Sequence, residues 1–192
     1  PGARYLMDSW IVAGLVAVTS VTTTMGAFGT MVEDKSQKII KDIRSSPMPR
    51  VNIAGGYILS AFVIGVIMCV VALVLCQLYL ISSGGAMFSG VQLLKIFGLI
   101  LLSTFSSTTL VLFIVSFFQS NNAFSIASTI IGTVIGFLTG IYIPIGSLPE
   151  GVQTVIKFFP PSHSAVLLRQ VIMDDAIKTG FAGAPADAVN GF

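Results

Sequence analysis

Glu33-Asp34-Lys35-Ser36-Gln37-Lys38-Ile39-Ile40-Lys41-Asp42-Ile43-Arg44-Ser45-Ser46-Pro47 decides how this chain folds, because charge concentrates there while the sequence on either side is apolar. Five of the ten Lys and Arg residues fall between Lys35 and Arg50. An uncharged run from Ser9 to Val32 precedes the segment and another from Val51 to Ile81 follows it. Each exceeds the roughly 20 apolar residues that a helix needs to cross a bilayer core. The rest of the chain agrees: its 192 residues are 54% hydrophobic and 9% charged, with a mean hydropathy of +0.93, whereas soluble domains carry about 25% charged residues.

Two more apolar runs follow, about 96–118 and 123–145, separated by the polar turn Gln119-Ser120-Asn121-Asn122. The expected fold is therefore all-α: one transmembrane domain over 1–192, a polytopic bundle with spans at about 9–32, 51–81, 96–118 and 123–145. Residues 146–192 form an external segment that does not span. Within it, Ser162 is placed to cap a helix running to about Asp175. The segment between spans one and two holds five basic residues and that between spans two and three only Lys95, so the positive-inside rule puts the basic loop in the cytoplasm and both chain ends outside. This clustering is a topology signal, and the net charge of +2 gives no reason to invoke nucleic acid.

Inside the loop, Ile39, Ile40 and Ile43 recur at helical spacing among charges, which predicts a short amphipathic helix over about 33–46. Pro47 and Pro49 end it, since proline cannot donate to the helix and biases the preceding residue away from it. Such a helix can also lie on anionic lipid.

The spans carry hydroxyl blocks, Thr19-Ser20-Val21-Thr22-Thr23-Thr24 and Ser103-Thr104-Phe105-Ser106-Ser107-Thr108-Thr109. Lipid cannot satisfy them, so they bond back to their own helix, face other helices or line a pathway, for which Thr22, Thr23, Thr24, Ser106 and Thr109 are candidates. Gly132, Gly136 and Gly140 repeat at intervals of four and would line one helix face for close packing. Trp10 suits the lipid headgroup level, and Arg169, six residues beyond His163, is expected at the membrane surface.

Catalytic chemistry has little to draw on. No phosphate-binding Gly-x-x-x-x-Gly-Lys-Ser loop exists, His163 is the single histidine, and no Asp, Glu, Lys, Arg or His falls within the four runs; coupled transporters place such a group at the coupling site. Cys69 and Cys76, seven apart on one helix, cannot bridge and read as packing residues. A pathway here would be lined by Thr, Ser, Gly and aromatic groups, with energy supplied by a partner. A structural or assembly protein and a membrane-embedded enzyme are the alternatives.

Met25-Gly26-Ala27-Phe28-Gly29-Thr30-Met31-Val32-Glu33-Asp34-Lys35, followed by Arg44-Ser45-Ser46-Pro47, resembles the membrane subunits of type-2 ATP-binding-cassette exporters. Gly140-Ile141-Tyr142-Ile143-Pro144, Leu148-Pro149, Phe159-Pro160-Pro161-Ser162-His163 and Arg169 are similar to that family's stretch after its fifth span. The resemblance covers roughly residues 9–175. It implies that the segment 33–46 is a coupling helix docking on an ATPase subunit, with Glu33, Asp34, Lys35, Lys38, Lys41 and Arg44 as contacts and Pro47 at its exit. It further implies an external re-entrant segment containing Pro144, Pro149, Pro160, His163 and Arg169. The family has six spans, so those present here would be the second to the fifth. The implied protein is a plasma-membrane permease, bacterial inner membrane by class, paired with a second permease subunit. It would export a drug, lipid, glycan or peptide while ATP and Mg bind the partner ATPase and no cofactor binds this chain.

Overall fold

The computed structural model describes residues 2–39, 49–82, 88–141, 156 and 159–180. Among them are five α-helices and no strand: α1 (Gly2–Ser36), α2 (Arg50–Ser82), α3 (Gly90–Ser116), α4 (Asn121–Leu138) and α5 (Pro160–Gly180). The first four are long and apolar enough to cross a membrane, so the architecture is the expected helical membrane bundle.

The helix α1 is the hub. It touches every other helix, whereas α2 packs on α1 and α3, α5 on α1 and α3, and α4 chiefly on α1. Its 35 residues at about 1.5 Å each make a rod of about 52 Å, well beyond the bilayer core of about 30 Å. The rod is therefore too long for the apolar layer to enclose.

Two apolar clusters fill the interior. One joins Val12, Ala13, Val16 and Ala17 of α1 to Cys69, Leu73, Ile96, Ile100, Ala165 and Leu168; the other joins Val21, Met25, Phe28 and Val32 to Ala61, Val111, Val115, Phe124 and Ile135. From these pairings α3 runs parallel to α1 while α2 and α4 run antiparallel, an up-and-down bundle. Between the clusters lies a belt of buried hydroxyls, Ser20, Thr24, Ser103, Thr104, Ser107 and Thr108. Ser20 Oγ donates to the Ala17 carbonyl at 2.8 Å and stands 3.1 and 3.0 Å from the hydroxyls of Ser103 and Ser107. Thr24 and Thr108 bond back to the carbonyls four residues earlier, at 2.8 and 2.7 Å. With no water to serve them, buried hydroxyls must be satisfied this way.

The outward face of α2, with Val63, Ile67, Val74 and Leu78 exposed, is apolar enough to face lipid. Apolar exposure has no cost there. Cohesion between the helices instead comes from packing and interhelical hydrogen bonds.

Four expectations need correction. Glu33 to Ser36 do not open a separate helix, because α1 continues through them and breaks at Lys38, whose φ of 65° is left-handed. The Ser36 hydroxyl and the Gln37 amide both donate to the Glu33 carbonyl, at 2.8 and 2.9 Å, which closes the turn. The fourth span ends at Leu138, not Ile145. There the amide of Gly140 bonds the Phe137 carbonyl at 3.1 Å and that of Ile141 the Gly136 carbonyl at 3.2 Å, with Gly140 at φ 69°. That pair of bonds is a Schellman cap. Span three starts earlier than its apolar run, at Gly90, because the Ser89 amide is met by Gln92 Oε1 at 2.8 Å. Finally, α5 begins at Pro160, a position where proline's missing N–H costs nothing. Ser162 is inside its first turn, donating to the Ile156 and Phe159 carbonyls at 2.6 Å each. The helix runs on to Gly180, past Asp175.

Candidate functional site

Between α1 and α4 an open groove of about 350 Å³ is lined by Val21, Thr22, Met25 and Gly26 on one wall and by Phe124, Ser125, Ser128, Ile131, Gly132 and Ile135 on the other. Small residues make the room: a Cβ at Gly26 or Gly132 would meet nothing within 4 Å. The walls are apolar with hydroxyls set into them, and no charged side chain lines the space. Thr22 Oγ1 is turned back to the Val18 carbonyl at 3.0 Å. Ser128 Oγ is buried without a hydrogen-bond partner among the described residues, leaving one polar handle for a ligand. A second cleft of about 180 Å³, wholly apolar side chains from Leu110 and Ile114 to Val134 and Leu138, separates α4 from α3. So α4 stands off the bundle on both flanks. It packs on α1 where Gly29 faces the Phe124 ring, 3.3 Å from where a Cβ would sit.

At the end nearest the basic segment, the Tyr57 hydroxyl of α2 donates to Asp34 Oδ2 of α1. Gln37 Nε2 donates to Glu33 Oε1 at 3.0 Å. Lys35 is half-buried and Lys38 exposed. The Asp34–Tyr57 bond ties the last turn of α1 to the first turns of α2, so tilting one without the other would break it. Tyr57→Phe removes it at constant ring volume. A hydrogen bond to a charged group contributes about 1.5–3 kcal/mol, and half-exposure lowers that to roughly 1 kcal/mol. The expected outcome is a melting midpoint in detergent lowered by a few degrees.

At the opposite end, Arg169 of α5 is 6% exposed, not at the surface as expected. Its Nη2 donates to the Thr139 carbonyl at 2.7 Å, and its guanidinium lies 4.0 Å over the Trp10 ring. Trp10 is half-buried and turns its indole N–H to the Gly140 carbonyl at 3.2 Å. Both donors reach carbonyls left open where α4 ends, the negative pole of that helix.

Of the hydroxyls singled out from sequence, Thr22 lines the groove. Thr24 is packed in the belt, Thr23 and Ser106 are half-buried elsewhere, and Thr109 is exposed with its hydroxyl on the Phe105 carbonyl at 3.0 Å. Of the three glycines, Gly132 opens the groove and Gly136 is buried in α4. Gly140 caps α4 and takes no part in a helix face. Glu33, Asp34, Lys35 and Lys38 gather at one end of α1, while Lys41, Arg44 and Pro47 lie outside the described residues, as do Pro144 and Pro149. Pro160 opens α5 and His163 is exposed on its first turns. Ser125 and Ser128 are site residues that the sequence patterns do not single out. Their signal is a third hydroxyl series, Ser125, Ser128 and Thr129, in an otherwise apolar run. Cys69 and Cys76 are buried packing residues with free thiols.

The described residues thus form a bundle with four helices long and apolar enough to cross a membrane and an uncharged, hydroxyl-bearing groove between α1 and α4, the architecture of a multi-pass membrane protein. Among the described residues no three His, Cys, Asp or Glu side chains gather as a metal site. The model of the ABC-2 family transporter proteins matches residues 3–182, and the chain belongs to that family, as a permease component of an ABC transporter. No curated protein and no solved structure matches it.

Proposed function

We propose that this chain is the permease subunit of an exporter driven by a separate or fused ATPase, with the segment from Glu33 to Pro47 as the coupling element. In this reading a second permease subunit completes the pathway, and ATP and Mg bind only the ATPase. Residence in the plasma membrane, the bacterial inner membrane, follows, with the basic segment in the cytoplasm. The groove between α1 and α4 carries the substrate, an amphipathic and predominantly uncharged drug, lipid, glycan or peptide. One observation supports this most: α1 is a single unbroken helix that contributes Val21, Thr22, Met25 and Gly26 to the groove and Glu33 to Ser36 to the basic segment. A force applied at one end of a rigid rod reaches the other without an intervening hinge. Differential binding of the ATPase to two tilts of α1 then supplies the free energy.

Charge reversal tests it. Lys38→Glu, Lys41→Glu and Arg44→Glu together should abolish efflux of a panel of fluorescent amphipathic dyes and copurification of the ATPase, with the protein still at its normal level in the membrane. Retention of both at normal expression would sink the proposal and favour a basic segment that merely rests on anionic lipid.

A further inference from the structure

We infer that Arg169 and Trp10 are positioning residues that form a latch, clasping the end of α4 through its main-chain carbonyls and so closing the groove on the side away from the basic segment. The inference rests on the groove being the pathway, and adds how one end of it is shut.

The clasp is built from three helices. Arg169 comes from α5, Trp10 from α1, and the two carbonyls they hold, Thr139 and Gly140, from the terminus of α4. The guanidinium over the indole at 4.0 Å makes each donor the support of the other. Space has been cleared for it: a Cβ at Gly14 would stand 3.2 Å from Arg169 Nη2 and collide with the Ile141 side chain. The Schellman cap explains why these carbonyls are available. It uses the Gly136 and Phe137 carbonyls internally and leaves those of Thr139 and Gly140 for outside donors.

Two features separate a latch from ordinary packing. First, α4 is the least embedded of the spanning helices, with 17% of its apolar window buried, and it is bordered by clefts on both flanks. The clasp therefore acts on the element freest to move. Second, the closed arrangement leaves Arg169 Nε buried without a hydrogen-bond partner among the described residues. Hydration of that N–H on opening offsets part of the loss of the two carbonyl bonds and so lowers the cost of opening.

The test is one-sided labelling of the full-length protein in oriented membranes, after Cys69→Ala and Cys76→Ala. Gly132→Cys places a thiol in the groove, where a Cβ meets open space. A membrane-impermeant maleimide is added from the side away from the basic segment. Labelling should be slow with Arg169 present and at least about tenfold faster in Arg169→Gln and in Trp10→Ala. Trp10→Phe keeps a ring beneath the guanidinium but loses the donor, and should fall between. A thiol at Ser107→Cys, deep in the hydroxyl belt, should stay unlabelled in every background. Equal Gly132→Cys rates with and without Arg169 overturn the latch, and so does labelling at Ser107→Cys, which signals general loosening. If Arg169→Gln fails to reach the membrane, Trp10→Phe decides: an unchanged rate overturns the latch. Efflux unaffected by filling the groove at Gly132 would remove the pathway itself, whatever the labelling does.

Discussion

Gly65→Leu is expected to disrupt the bundle by forcing three helices apart at one crossing point. A Cβ at position 65 would lie 2.7 Å from Thr104 Cγ2 and 3.0 Å from Thr24 Cγ2. Neither neighbour is the loose end of a long side chain. Thr24 and Thr104 are both buried, Thr24 Oγ1 is bonded to the Ser20 carbonyl at 2.8 Å, and the Thr104 carbonyl accepts the Thr108 hydroxyl at 2.7 Å. Relief therefore requires α2 to back away from α1 and α3 together. Overpacking costs about 1–3 kcal/mol where a core can adjust, and separating three helices at their polar belt puts this case at the upper end, about 3 kcal/mol. Gly65→Ala, with a single methyl, should cost less. Thermal unfolding in detergent, with Gly55→Leu as a control in open space, distinguishes a crossing-point effect from a loss of glycine as such.

Gly132→Trp should have the opposite signature, with transport blocked and stability kept. The Cβ meets nothing within 4 Å and the indole projects into a groove of about 350 Å³, so no helix has to move to accept it. If the groove carries substrate, dye efflux should drop at least about tenfold, equivalent to about 1.4 kcal/mol in the rate-limiting barrier, while the melting midpoint stays within a degree or two. Normal efflux would show that substrate passes elsewhere. The apolar cleft between α3 and α4 would then be the next place to look.

Much of this architecture is legible in the order of the residues. Uncharged runs of bilayer length announce spans through composition alone, and the abrupt charge at Glu33 marks where the first of those runs ends. What composition cannot reveal is where a helix ends when apolar sequence continues. Ile141, Ile143 and Ile145 look like more span, yet α4 stops at Leu138 because Gly140 takes a left-handed φ. Its four-residue spacing from Gly136 hides that role behind a packing pattern. At the other boundary the charges from Glu33 suggest a new helix, whereas backbone hydrogen bonding simply continues through them until Lys38.

The site is only half readable for a related reason. Periodicity says which residues share a helix face but not which helix that face meets. Ser20, Ser103 and Ser107 belong to blocks that stand out in sequence, and their convergence depends on α1 and α3 running parallel in register. Arg169 departs furthest from its sequence context. Near two prolines and a histidine it resembles an interfacial residue, and the open carbonyl of Thr139 at the end of α4, with the Trp10 ring, helps make a buried cation tolerable there.

The central claim, that force from an ATPase enters at the end of α1, is tested most directly by a photo-crosslinking group introduced at Lys38, which is exposed beyond the last turn of that helix. Irradiation of cells making the full-length protein should join it to an ATP-binding subunit, with a yield that changes between nucleotide-free and ATP-trapped states. Crosslinks to lipid alone, with the protein correctly inserted and the ATPase present, would contradict it.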